Sequence, residues 1–86
     1  MPFLHTVTVE PRDNYRLYIC FNNGAKGEID LSEELWGEIF EPLKDPAAFK
    51  TAHHHPELGT VVWANGADFA PEFLLQLLQE QNKAAA

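Results

Sequence analysis

Positive charge is scarce in this chain: six Lys and Arg stand against thirteen Asp and Glu, a formal net charge of −7 over 86 residues. Affinity for nucleic-acid backbones comes from cationic side chains that displace counterions, so direct nucleic-acid binding is not expected of it. Cysteine is nearly absent. The lone Cys20 cannot close an internal disulfide, which fits a reducing compartment, and its place in an aromatic and β-branched run predicts a buried core thiol. No apolar run approaches the ~20 residues that a membrane span requires. Met1-Pro2-Phe3-Leu4 opens without a basic segment or a long apolar core; a cytoplasmic protein without a membrane partner is therefore expected. Gly24 and Gly27 lack the lysine-hydroxyl pair of a Walker loop and sit in a hairpin context, so they do not read as a phosphate cradle.

The residues that are present read as one globular domain spanning 1–86, since domains begin at roughly 50 residues. Hydrophobic residues make up 45% and aromatics 12%, enough to argue against disorder. A chain this short removes only about 60 to 70% of its surface from water on folding, so its stability margin is small. An acidic surface of this kind keeps the protein soluble and attracts a basic partner.

Phe3 to Glu10 alternate, with Phe3, His5, Val7 and Val9 on one face and Leu4, Thr6, Thr8 and Glu10 on the other, the period of a strand. Pro11 to Asn14 is a turn by composition, and Tyr15, Leu17, Ile19 and Phe21 then alternate with polar neighbours as a second strand. Asn22-Asn23-Gly24 tolerates the positive φ of a tight hairpin, after which Glu28 to Leu31 returns as a short third strand. Ser32, followed by Glu33 and Glu34, predicts a capped helix with Leu35, Trp36, Ile39 and Phe40 on one side, made irregular by Gly37 and ended by Pro42. Asp45-Pro46 starts a single helical turn through Phe49. Lys50 to His54 predicts a strand antiparallel to Thr60–Trp63 across the turn 55–59.

The stretch from Gly59 to Leu78 organises the chain. A β-branched run ends in Trp63, the backbone turns through Asn65-Gly66, and a proline-initiated helix follows. Within it Ala70, Phe73, Leu74, Leu77 and Leu78 fall at i, i+3, i+4, i+7 and i+8, an apolar stripe that must be covered by the sheet or by a second copy. Gln79 to Ala86 carries no such period and is expected to fray.

The joint between strand and helix also holds the most suggestive side chains: Trp63, Asn65, Gly66, Asp68, Pro71 and Glu72. As a site, Asp68 and Glu72 would act as acid and base, yet no nucleophile accompanies them. As architecture, Asp68 accepts the free N–H groups of the helix and Glu72 complements its dipole. The run His53-His54-His55 is the one metal-like cluster. Adjacent imidazoles on an extended chain point to opposite faces, so only His53 and His55 could share an ion, and the three or four ligands that zinc prefers are not supplied. No cofactor is expected. Trp36 and Trp63, with Phe40, Phe49, Phe69 and Phe73, offer an exposed aromatic patch for a peptide or helix, but such residues read first as core; ten aromatics on one thin sheet leave one or two for an interface, and monomer and homodimer both stay open.

The string Thr60-Val61-Val62-Trp63-Ala64-Asn65-Gly66-Ala67-Asp68, followed by Pro71-Glu72, resembles the signature of a family of short bacterial proteins, the domain-of-unknown-function family numbered 2442. Phe21 to Leu31 and Ile39 to Pro46 with Phe49 resemble two further blocks of it, and the similarity runs from about Tyr15 to Phe73. The resemblance implies an α+β domain of short strands with a terminal helix, and it assigns no activity. Members look like lone domains, domains joined to a helix-turn-helix, or small partners of a second protein in the manner of toxin and antitoxin. This chain ends soon after the first helix past Asp68, so a helix-turn-helix and its DNA-binding role are not carried over. Ala64 stands where the family often has proline, which loosens the turn.

Together these readings predict an α+β fold: an antiparallel β-meander plus a hairpin, a short helical connection and a C-terminal amphipathic helix packed on the sheet. The expected function is a non-enzymatic protein-interaction module, antitoxin-like or adaptor-like. The alternative is a small-ligand protein or enzyme built on Asn65, Asp68 and Glu72.

Overall fold

The computed structural model describes residues 3–85, so Met1, Pro2 and Ala86, the first residues of the opening segment and the last residue of the expected frayed tail, lie outside the described residues. Three strands, β1 (Thr6–Arg12), β2 (Arg16–Phe21) and β3 (Lys26–Asp30), form an antiparallel meander in that order. A 3-10 turn (Glu41–Lys44) and a short helix α1 (Pro46–Phe49) lead to a second hairpin, β4 (His53–His55) and β5 (Thr60–Val62), and helix α2 (Pro71–Ala85) closes the chain. The architecture is α+β, as the patterning predicts.

Period-two alternation places the core on one face of β2, where Leu17, Ile19 and Phe21 are buried. Cys20 lies on the opposite face and is half-buried, which corrects the expected core thiol; its Sγ lies 3.5 Å from Tyr18 Oη instead. Strand β1 departs further from its alternation. The register against β2 shifts between Thr6 and Thr8, so the chain carries a bulge there. Thr6 is buried opposite Phe21 and Val9 packs opposite Ile19, whereas Val7, expected on Val9's face, is left 50% exposed. The strand also starts three residues later than predicted and runs through Pro11 and Arg12, and the turn moves to Asp13–Tyr15. Asn14 and Tyr15 both adopt φ of 61°, a region in which a bulky residue is strained. Tyr15 is held there by its hydroxyl, which donates to Lys44 O, by its ring, edge-on to Phe49 at 5.5 Å, and by Leu31 N–H bonding its carbonyl.

The helix predicted after Ser32 does not form. Asp30 Oδ1 accepts the Ser32 N–H at 2.8 Å, Glu34 N–H bonds Leu31 O, and Gly37 takes φ of 94°, so the segment folds as successive turns. Leu35 is buried as a plug, while Trp36 and Ile39 face outward rather than sharing its side. Asp45 caps α1 as expected, its Oδ1 accepting Ala47 N–H at 3.0 Å. Lys50 and Thr51 are not strand: their N–H groups close the last turns of α1 onto Pro46 O and Ala48 O. Strand β4 therefore begins at His53. Strand β5 stops at Val62 because Trp63 N–H turns to Ala67 O.

The hairpin sits against the start of β1, with Thr6 N–H bonded to Gly59 O at 2.9 Å and Thr6 Oγ1 to His54 Nδ1 at 2.8 Å. Gly59 has φ of 66°, and a Cβ there would fall 2.7 Å from His5 Cβ; only glycine meets both demands. On α2, Leu74 and Leu78 are buried and Phe73 and Leu77 half-buried. The helix does not fray at Gln79 but continues to Ala85. Gln76 Nε2 bonds Glu80 Oε1 at 3.0 Å, and Gln81 reaches the backbone of Asp30 with both ends of its amide, accepting from N–H at 2.8 Å and donating to O at 3.0 Å. The core is one cluster, in which Leu17, Ile29, Leu43, Phe49, Val61, Trp63 and Leu74 meet.

Candidate functional site

The joint after β5 is a closed turn. Trp63 is 1% exposed, and its Nε1–H donates to Phe49 O at 3.0 Å, so its polar edge is satisfied inside the core. Gly66 takes φ of 87° and its N–H returns to Trp63 O. Asn65 spends its amide twice: Oδ1 accepts Ala67 N–H at 3.0 Å and Nδ2 donates to Ile39 O at 2.8 Å. The second bond fastens the turn to the irregular 31–40 segment. Asp68 is exposed, bridges Val62 through its backbone, and its carboxylate accepts no hydrogen bond from the described residues, so the expected cap on α2 is not made. Pro71 opens the helix, and Glu72 is exposed in its first turn. None of Asn65, Asp68 and Glu72 lines any of the three clefts described below.

What the joint does assemble is a run of aromatic rings. Trp63 stands edge-on to Phe69 at 5.8 Å, Phe69 stacks on Phe40 at 4.6 Å and 12°, and Phe69 lies 5.2 Å from Phe73. Thr60 Oγ1–H donates to Phe69 O and holds the segment before α2 against β5. The rings close the floor of a groove of about 280 Å³ lined by Glu34, Trp36, Phe40, Phe69 and Phe73. Trp36 forms its wall and is 71% exposed. Glu34 also belongs to a neighbouring polar cleft of about 320 Å³, with Asp30, Ser32, Glu33 and Gln81. Among the described residues, none lining these two clefts is basic.

A third cleft, about 440 Å³, lies between the β1–β2 turn and α1, lined by Arg12, Asp13, Asn14, Tyr15, Pro46, Phe49 and Lys50. Its charges are mutually engaged, with Lys50 Nζ 3.1 Å from Asp13 and Arg12 paired to Glu10 at 2.9 Å. On the outer face of the meander, the phenol of Tyr18 is pushed up from its ordinary range, first by its hydrogen bond with Cys20 and then by that thiol's charge. The histidines of the run serve structural contacts: His53 Nδ1 meets Thr51 O at 3.0 Å, His55 Nδ1 accepts Leu58 N–H at 3.2 Å, and His54 reaches Thr6 on β1. Among the described residues no three His, Cys, Asp or Glu gather around a common point that could hold a metal ion.

Of the six aromatics that the sequence grouped as a candidate patch, Trp36, Phe40, Phe69 and Phe73 line the groove while Phe49 and Trp63 are core; what the sequence misplaced was Trp36, set on the same helical face as Leu35 and Phe40. The signal was Gly37: a left-handed glycine in the middle of a short helical period turns its neighbours apart.

The family model described as protein of unknown function (DUF2442) matches residues 6–80. No curated protein matches the chain. Among solved structures, a crystal structure from Nitrosomonas europaea named "Putative DNA Binding Protein NE0471" superposes with a TM-score of 0.82 at 27% identity. The match covers 94% of this chain and 52% of that one, so the chain spans about half the length of that relative.

Proposed function

On the premise that the chain belongs to the DUF2442 family of proteins of unknown function, we propose that it is a non-enzymatic interaction module that engages a basic protein partner in the cytoplasm. The observation that carries this reading is the exposed wall of Trp36 above a floor of three packed aromatic rings, bordered among the described residues by the acids Asp30, Glu33 and Glu34. Contiguous apolar surface rimmed by polar groups marks an association site more often than an isolated exposed residue does. The residues of the joint serve this surface from below: Trp63, Asn65 and Gly66 shape the turn, Pro71 starts α2, and Asp68 and Glu72 add negative charge nearby.

Two features support a protein partner over nucleic acid. The net charge is −7, and Arg12, Arg16, Lys44 and Lys50 are each engaged with a carboxylate within 4.0 Å, leaving little cation density to displace counterions. The Nitrosomonas europaea protein's name is a statement about a chain nearly twice as long. The ligand-binding or enzymatic alternative at Asn65, Asp68 and Glu72 gains no support, since the amide is engaged twice and none of the three lines a described cleft.

The test is affinity purification of the tagged chain from its native cell, expressed at natural abundance, followed by reconstitution from pure components. A stoichiometric complex whose affinity falls with added salt supports the module; the absence of any reconstituted complex refutes it. Anisotropy with duplex DNA at low salt, giving no saturable binding, is the companion expectation.

A further inference from the structure

We propose that the aromatic groove receives one large apolar side chain from a peptide segment of the partner, with Lys or Arg of the same segment lying against Asp30, Glu33 and Glu34. This rests on the reading of the chain as an interaction module and names the surface and the chemistry it selects.

The groove, about 280 Å³, suits a single anchor residue rather than a long apolar helix face. Its floor is already ordered. Phe69 is pinned between Phe40 and Phe73, and Asn65 ties Ile39 in place beside Phe40. Binding therefore demands little rearrangement, the condition under which a small contact yields useful affinity. Trp36 is the side chain left without a covering, and tryptophan at the rim of an apolar pocket is the residue type that dominates association energies when an anchor docks beside it.

Charge decides what carries the anchor. Glu34 touches the groove and the polar cleft alike, so Asp30 and Glu33 lie one cleft away from the aromatic floor. A second copy of this chain would bring another net charge of −7 to that rim. A nucleic acid or an anionic membrane would be repelled in the same way. A cationic peptide is steered in and satisfies the carboxylates as its apolar side chain seats.

The experiment selects displayed random 15-residue peptides on the immobilised full chain, and the winners are synthesised and measured by calorimetry. The expected winners carry an aromatic or branched aliphatic residue flanked by Lys or Arg. Trp36→Ala should weaken them about 30-fold, which is about 2 kcal/mol, and the double reversal Glu33→Lys with Glu34→Lys about 10-fold or more with loss of salt dependence. Because Trp36 is 71% exposed, Trp36→Ala should melt close to wild type, and Trp36→Asp gives a second variant of the same wall. Bound peptide should also shield Trp36, and not the buried Trp63, from acrylamide quenching. Winners without basic residues, winners indifferent to both Trp36 variants, or no winners at all overturn the proposal. So does a dimer in sedimentation that Trp36→Ala converts to monomer, since the occupant is then a second copy. If the partner recovered from cells binds Trp36→Ala as tightly as wild type, the groove fails while the module reading stands. If no partner complex can be reconstituted, the module reading itself fails.

Discussion

Asn65 joins the tryptophan turn to the segment that carries the groove, and Asn65→Asp separates its two hydrogen bonds. The acceptor to Ala67 N–H survives the change, whereas the donor to Ile39 O, now 2.8 Å away, is replaced by a carboxylate oxygen facing a carbonyl. Loss of an exposed hydrogen bond removes roughly 0.5–1.5 kcal/mol, and the repulsion at surface dielectric adds on the order of 0.5 kcal/mol. The variant should therefore lose about 1–2 kcal/mol at neutral pH, which for a domain of this size lowers Tm by about 5–15 °C. The pH dependence has a definite sign. A carboxylate against a carbonyl favours its neutral form, so the introduced group titrates higher folded than its unfolded value of about 3.9. Once protonated it can donate to Ile39 O as the amide does. The deficit relative to wild type at the same pH is then full above the folded value and shrinks as pH falls through it. Asn65→Ala, which loses both bonds and gains no titrating group, keeps its deficit throughout. Circular-dichroism melts of the three proteins from pH 3.5 to 7 decide the matter. An Asn65→Asp protein that melts within about 2 °C of wild type at pH 7, or whose deficit ignores pH, refutes the bond as the tie between turn and groove.

Three further outcomes are expected. Gly59→Ala combines a left-handed backbone with a Cβ 2.7 Å from His5 Cβ and should cost about 2–4 kcal/mol in urea unfolding at unchanged m; His5→Gly in the same chain should return part of it, and no recovery would mean that the close approach is not the cause. Gln81→Ala removes both bonds to Asp30 and should lose about 1–2 kcal/mol, read as faster hydrogen exchange at the Asp30 amide; unaltered exchange would deny the tie. Tyr18 should titrate above the ordinary phenol value in a 295 nm absorbance titration, and Cys20→Ala should bring it down, because the thiol is the first cause of the shift. Since the folded value is raised, its contribution to stability is present below the unfolded phenol pKa and lost as pH rises through the folded one.

The meander, the second hairpin and the terminal helix were legible because each rests on a local signal: alternation at Leu17, Ile19 and Phe21, glycine and asparagine at the turn 22–24, proline at 71. The Asp45 cap was legible for the same reason. What the sequence hid depends on contacts across distance. The bulge at Val7 follows from pairing with β2, and the extra turns of α2 rest on Gln81 meeting Asp30, 51 residues away. At the joint, composition marked Asn65 as important but could not name Ile39 as its partner. An aromatic patch drawn from Trp36, Phe40, Phe69 and Phe73 was legible as a candidate, but its separation from the core rings of Phe49 and Trp63 depends on contacts made only in the folded chain.

The carboxamide of Gln81 offers Asp30 the same donor and acceptor pair that another polypeptide's main chain would offer in its place. At that point the outer margin of the meander is sealed by the molecule's own side chain, so a foreign strand finds no vacant partners there and stacking of copies into a continuous sheet is discouraged from within. A protein that leaves aromatic rings open to a visitor does so more safely where its sheet edge is capped, as it is at Asp30.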